Sequence, residues 1–208
     1  MGKQVEAAHY NLKYDSKERF CSYWHQINEI TKLKPEKVLE VGIGNGFVSD
    51  YLKKRNFNVT TVDIDKDLKP DIVGSVLDLP LPDNEFDVVV CYETLEHLPY
   101  ENFSKALLEL KRVSKKYVIM SLPDVHKTWR YVIHIPRFKM IKKFIYIPVL
   151  KLPEHIFDGE HYWEIGKKGY DLKKVSKDIC ACGFNILNTY RPFEITYHRF
   201  FVLENIED

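Results

Sequence analysis

Four cysteines in 208 residues, Cys21, Cys91, Cys180 and Cys182, are too few for a disulfide framework. Cys180-Ala-Cys182 lacks the spacer of a zinc knuckle and no second pair completes one, so the thiols read as free in a reducing cytoplasm. Long apolar runs are also missing. The longest, Phe144 to Leu150, falls far short of the roughly 20 residues a membrane helix needs. The opening Met-Gly-Lys-Gln-Val-Glu holds no apolar signal core, and a cytoplasmic protein is expected. Nor is there an excess of one charge. Lys and Arg number 31 against 30 Asp and Glu, a formal net of +1 that excludes a global pull toward nucleic acid or membrane. Any such preference must be local. Internal repeats and low-complexity tracts are absent as well.

What is present describes an ordinary globule, with 45% hydrophobic and 29% charged residues. The length suits a single domain over 1–208 with an insertion better than two domains. The chain is organised around Val38-Leu39-Glu40-Val41-Gly42-Ile43-Gly44-Asn45-Gly46-Phe47-Val48. Val38, Leu39 and Val41 suit a strand covered on both faces. Gly42, Gly44 and Gly46 permit backbone torsions closed to other residues and leave room for a ligand against the chain. A helix from about Phe47 to Arg55 then points its unsatisfied N–H groups at that turn.

Before this turn, residues 1–35 are polar and aromatic. Asp15 or Ser16 can cap a helix running to about Thr31, with Phe20, Tyr23, Trp24, Ile27 and Ile30 at helical spacing. It packs on the sheet edge or forms a helical flap over a pocket through Tyr10, Tyr14 or Arg19. After the turn come strands at Asn58–Val62, Asp71–Val73, Phe86–Cys91 and Tyr117–Leu122, with a helix over Glu101 to Val113. Strands and helices alternating at this spacing give an α/β fold with a doubly wound parallel sheet, whose ligands bind beyond the carboxyl ends of the strands. A helix near Gly169 to Cys182 and two apolar segments, Phe184–Leu187 and Tyr197–Leu203, close the chain as a terminal antiparallel hairpin.

Residues 124–160 break this rhythm and read as an inserted cap over the acceptor site. From Val125 to Pro153 there is no acidic residue, while Lys127, Arg130, Arg137, Lys139, Lys142, Lys143 and Lys151 alternate with Trp129, Tyr131, Phe138, Phe144 and Tyr146. Such a stretch suits a solvated lid, a groove for an anionic acceptor or single-stranded RNA, or a surface touching anionic lipid.

The ligand is narrowed by three residues. Asp63 ends the second strand, where a carboxylate can accept hydrogen bonds from ribose hydroxyls. Phe47 occupies the position of the third glycine of a dinucleotide motif. Glu40 would repel a pyrophosphate and favour an ammonium group. A ligand with ribose, adenine and an amino-acid tail fits better than NAD, although a dehydrogenase remains a distant reading.

On these pieces, with Leu79-Pro80 through Phe86-Asp87-Val-Val-Val90 and Glu96-His97-Leu98, residues 36–122 resemble the class I S-adenosylmethionine-dependent methyltransferases of the "type 11" group. Gly183-Phe184 and His198 to Leu203 resemble that family's closing hairpin. The resemblance implies a Rossmann-like, seven-stranded sheet with one antiparallel strand near the C-terminal edge and helices on both faces. It implies that Glu40, Gly42, Gly44 and Gly46 surround the methionine part of S-adenosylmethionine, that Asp63 holds the ribose and that Ile64 lies against adenine. Relatives commonly place an aspartate where this chain has Ser75, so Ser75 and the Val76 backbone are expected to meet the adenine amino group in preference to Asp78. The exit of the fourth strand, including Tyr92, lines the methyl-donor end.

Methyl transfer is an in-line displacement needing alignment, exclusion of water and, for a hydroxyl or amine acceptor, a general base. The candidates are His97, Glu93 and His161, with Glu96 beside them. Glu93-x-x-Glu96-His97 together with His161 also resembles the two-glutamate, two-histidine magnesium site of enzymes that methylate the terminal 2′-hydroxyl of small RNAs. Glu-His-Leu occurs equally in metal-free relatives, and no metal is assigned here. The expected function is methyl transfer to a small-molecule acceptor. The alternatives are a metal-assisted RNA 2′-O-methyltransferase and an inactive cofactor-binding module.

Overall fold

The structure is a computed structural model and describes residues 7–137, 140–148, 151–157 and 159–206. Phe138 and Lys139 of the basic stretch, Val149 and Leu150 of the apolar run, and the six opening residues lie outside the described residues. The main elements in chain order are α1 (Lys17–Lys32), β1 (Lys37–Val41), α2 (Phe47–Lys54), β2 (Asn58–Asp63), β3 (Ile72–Val73), β4 (Phe86–Tyr92), α3 (Phe103–Val113) and β5 (Ser114–Pro123). They continue with β6 (Thr128–Ile133), β7 (Ile141–Tyr146), α4 (Leu172–Ala181), β8 (Phe184–Tyr190) and β9 (His198–Asn205).

Seven strands form one sheet in the order β3-β2-β1-β4-β5-β9-β8. Pairing is parallel from β3 to β5, and β9 runs antiparallel to both β5 and β8. The sheet is therefore Rossmann-like with a single antiparallel strand. Chain order reverses between β1 and β4, so the crevice of the sheet lies beyond the carboxyl ends of those two strands.

Alternation along the strands feeds a core on each face. Leu39 and Val41 of β1, Val89 and Cys91 of β4, and Val118 and Met120 of β5 pack beneath α3 and α4, with Leu107, Leu110, Val175 and Ile179. Val38, Val88, Val90 and Ile119 point the other way, onto Ile30 of α1 and Val48 and Leu52 of α2. Ser16 caps α1 by accepting a hydrogen bond from the Arg19 N–H, and Asp171 caps α4 through the Lys174 N–H.

Three elements differ from the sequence expectation. The third strand is shorter, because Asp71 leaves the ladder and its carboxylate binds the Thr61 N–H and hydroxyl and Lys53. The helix expected from Glu101 begins at Phe103, after a 3-10 turn over Tyr100–Asn102. Glu93 and Glu96 do not share a helical face. Glu93 follows β4 with a φ of 47°, and only Leu95–His97 forms a turn of 3-10 helix.

The 124–160 insertion is built around the antiparallel β6–β7 hairpin, which stands apart from the main sheet. No helix among the described residues is long and apolar enough to cross a membrane.

Candidate active site

A cavity opens at the carboxyl ends of β1, β2 and β4. Its wall includes Glu40, Gly42, Gly44, Asp63, Ile64, Ser75, Val76, Tyr92, Glu93 and His97. Gly46 is outside this wall and begins α2 with a φ of 73°. Asp78 is outside it as well, whereas Ser75 faces it. Several lining residues escaped the sequence reading: Gln26, Asp65, Leu68 and Thr94. Their only signal was proximity in sequence to a motif residue, and for Gln26 there was none.

The glycine turn is held from three sides. Gly42 has a φ of 80°, and a Cβ there would lie 2.3 Å from Thr94 Oγ1. Asp63 Oδ2 accepts the Ile43 N–H at 2.9 Å, and its Oδ1 accepts the Asp65 N–H at 2.8 Å. Asn45 donates to Asp15 Oδ1 and to the Tyr23 hydroxyl, both at 2.8 Å, tying the turn to α1. The Tyr10 ring lies against Gly44, where a Cβ would come within 3.2 Å of it.

Tyr10, Tyr14 and Arg19 therefore line the cavity from the amino-terminal side, with the Arg19 guanidinium 4.2 Å from the centre of the Tyr14 ring. No described residue of 124–160 lines it. At this cavity the cover comes from the amino-terminal segment, because the turn's hydrogen bonds run to α1 and the hairpin docks elsewhere.

Burial shapes the electrostatics. Glu40 is buried beneath the turn, its Oε2 has no hydrogen-bond partner, and desolvation pushes its carboxyl up to about 8. Desolvation also raises Asp63, against the opposing effect of its backbone N–H partners. The carboxyl groups of Glu40 and Asp63 offer oxygen acceptors that suit an ammonium group and hydroxyls better than phosphates, and the glycine turn leaves space for them. These residues fit the amino-acid and ribose parts of S-adenosylmethionine.

At the β4 end lies a cluster of acids and imidazoles. Desolvation pushes Glu93 up to about 7, and it raises the fully buried Glu96 well above the carboxylate range with help from the Glu93 charge. Both Glu96 oxygens lack a hydrogen-bond partner. His97 Nδ1 is 2.9 Å from the Glu160 carbonyl oxygen. A carbonyl only accepts, so Nδ1 carries the proton and the ring's lone pair is on Nε2.

His161 does not line the cavity, but its ring meets that of His97 edge-on with centroids 4.9 Å apart. Its Nδ1 is 3.3 Å from Glu164 Oε1, which also accepts a hydrogen bond from the Tyr197 hydroxyl. Burial works to raise Glu164, but His161, Tyr197 and Lys167 together hold it below its usual value. Glu96, His97 and His161 each offer one ligand atom, and these atoms lie within 4.8 Å of one another.

Comparison with known proteins agrees with this architecture. Residues 39–121 match the family model described as "Methyltransferase domain". Over residues 39–121 the chain carries a methyltransferase domain. It is 25% identical over 124 residues to a protein of Rickettsia bellii named "Ubiquinone biosynthesis O-methyltransferase", covering 53% of this chain and 48% of that one. The chain thus spans about half the length of that relative. A protein of the same name from Rickettsia canadensis is 29% identical over 194 residues, covering 86% of this chain and 79% of the relative.

Among solved structures, the fold is shared with the 1,6-didemethyltoxoflavin-N1-methyltransferase of Burkholderia thailandensis, solved with bound 1,6-didemethyltoxoflavin and S-adenosylhomocysteine. The TM-score is 0.64 at 12% identity, over 96% of this chain and 83% of that one.

Proposed function

We propose that this chain transfers the methyl group of S-adenosylmethionine to a hydroxyl of a small-molecule acceptor, with His97 as the general base. The observation that supports this reading is the cavity itself, whose lining includes Glu40, the glycine turn, Asp63 and His97, with His97 Nδ1 held by the Glu160 carbonyl. The donor brings a methyl carbon on a positively charged sulfur, and the remaining requirements fall on the chain.

Glu40 takes the ammonium of the amino-acid tail, and Arg19 is placed for its carboxylate. Asp63 accepts from the ribose hydroxyls through lone pairs beyond its two backbone contacts. Ile64, Ser75 and the Val76 backbone, which line the same cavity, would hold the adenine, the latter two at its amino group. Tyr92 closes the floor, its hydroxyl donating to the Gln26 carbonyl. Tyr10 and Tyr14 exclude water. His97 Nε2 takes the acceptor's proton as its oxygen attacks, while the Glu160 carbonyl fixes the tautomer. Glu93 and the His161–Glu164 pair support the charge that develops beside it. The names of the relatives agree with an oxygen acceptor.

The experiment is a product assay by mass spectrometry with S-adenosylmethionine and a panel of hydroxylated small molecules. A methylated product with release of S-adenosylhomocysteine is expected. Cofactor binding without product over the whole panel would favour the inactive binding module. Thermal protection by NADH but not by S-adenosylhomocysteine would overturn the donor assignment.

A second reading is favoured by the unpartnered, fully buried Glu96 carboxylate between His97 and His161. A divalent cation held by these three residues would keep Glu96 ionised and orient an acceptor hydroxyl, as expected for an RNA 2′-hydroxyl acceptor. Full activity in excess chelator, with no metal found in the purified protein, would end this reading.

A further inference from the structure

The β6–β7 hairpin has two unlike faces. Its register sets Arg130 opposite Phe144 and Val132 opposite Lys142 on one side, and Trp129 opposite Ile145 and Ile133 opposite Ile141 on the other. The first face is used by the fold at Arg130, Phe144 and Lys142, while Val132 and Tyr146 on it stay exposed. Arg130 donates to the carbonyls of Phe193 and Glu194, Lys142 pairs with Glu194 at 2.6 Å, and the Phe144 ring meets that of Phe193. The second face is exposed. Trp129 is 58%, Ile133 53% and Ile145 50% accessible, exposures unusual for large apolar side chains in register on one face.

We infer that this outer face is a docking surface for an anionic lipid bilayer. Its apolar side chains are graded along the hairpin. Ile133 and Ile141 pair nearest the turn, and exposed Ile135 and Met140 continue beyond them. Trp129 lies at the opposite end of the hairpin, where an amphipathic ring suits headgroup depth. Lys143 shares this face, and the surrounding stretch from Val125 to Pro153 carries seven bases and no acid.

A hairpin end bearing Ile133, Ile135, Met140 and Ile141 beside Arg137 matches shallow insertion among anionic headgroups. It matches single-stranded RNA less well, because its two rings, Trp129 and Tyr131, stand among the aliphatic Ile133, Ile135, Met140, Ile141 and Ile145, which offer no surface for stacking a base. A second copy of the chain docked face to face would bring two such basic hairpins together.

The test is co-sedimentation of the full chain with phosphatidylcholine vesicles, with and without phosphatidylglycerol. Binding to the anionic vesicles is expected, weakened by salt and at least about tenfold tighter than to the neutral ones. Ile133→Ser with Ile141→Ser should abolish it, and Lys143→Glu should weaken it about tenfold while leaving Tm and S-adenosylhomocysteine binding unchanged.

Absent or equal binding to the two vesicle types would overturn the proposal. Unaltered binding by the double variant would do the same. Tighter capture of an oligouridine than of vesicles would assign the face to RNA, and a dimer dissociated by Ile133→Ser would assign it to self-association. These readouts need no methyl transfer, so failure here is distinguishable from failure of the proposed activity.

Discussion

Single residues in this site act through burial more than through composition. Glu40 is an acid on a buried strand, and its proton is retained until about pH 8 because water is excluded from it. Its folded value lies above that of an unfolded glutamate, so its contribution to stability is fully present at low pH and is lost as pH rises through 8. The loss begins above the ordinary glutamate value and is complete near 8, the folding equilibrium weakening by up to about tenfold per pH unit between them. The Tm of the ligand-free protein is therefore expected to fall between pH 7 and 8, and Glu40→Gln should flatten that slope in a thermal scan while weakening donor binding.

At Asp63, loss of charge-assisted hydrogen bonds of about 1.5–3 kcal/mol predicts at least tenfold weaker S-adenosylhomocysteine binding for Asp63→Ala by calorimetry. Unchanged affinity would mean that the ribose is held elsewhere. For His97→Asn, kcat should drop by roughly 10²–10⁴-fold with cofactor affinity preserved. Equal losses in both would make His97 a structural residue.

At the scale of elements, the turn between β1 and α2 separates two uses of glycine. Gly42 and Gly46 both have left-handed torsions, yet a Cβ on Gly42 would collide with Thr94 and one on Gly46 would meet open space. Gly46→Ala should cost about 1–2 kcal/mol, the price of the torsion alone. Gly42→Ala should lower Tm further and abolish S-adenosylhomocysteine binding, because Thr94 or the turn must move. Helix α1 belongs to the site as well, since Asn45 ties the turn to Asp15 and Tyr23. Removing the cap of that helix with Ser16→Ala should cost about 1 kcal/mol and weaken donor binding by loosening Arg19 and Tyr23.

At the scale of the molecule, one sheet is shared by both cores, and neither layer is complete without it. Leu52 beneath α2 and Leu110 of α3 are both fully buried on opposite faces. Leu52→Ala and Leu110→Ala should each cost about 2–5 kcal/mol and lower one common transition in circular dichroism and fluorescence. Two separated transitions would mean that the layers unfold independently. The buried Trp163, packed on Tyr100 and Phe103 with its indole N–H on the Leu98 carbonyl, anchors the segment that delivers His161 to His97.

The sequence alone determined the local parts. Short apolar runs marked β1, β2, β4 and β5, and the glycine turn followed by Asp63 marked the crevice, because each depends on residues close together in the chain. Even there, the third strand was drawn too long, since the hydrogen bonds of Asp71 to Thr61 were invisible without the neighbouring strand. Only the tertiary structure decided which segments meet.

It set β9 between β5 and β8, brought His161 to His97 across 63 intervening residues, and placed Arg19, Gln26 and Thr94 in the cavity wall. It also turned one face of the basic hairpin onto Phe193 and Glu194 and left the other outward. A pattern read along the chain fixes which side chains share a face. What that face touches depends on long-range packing, which carries no period in the sequence.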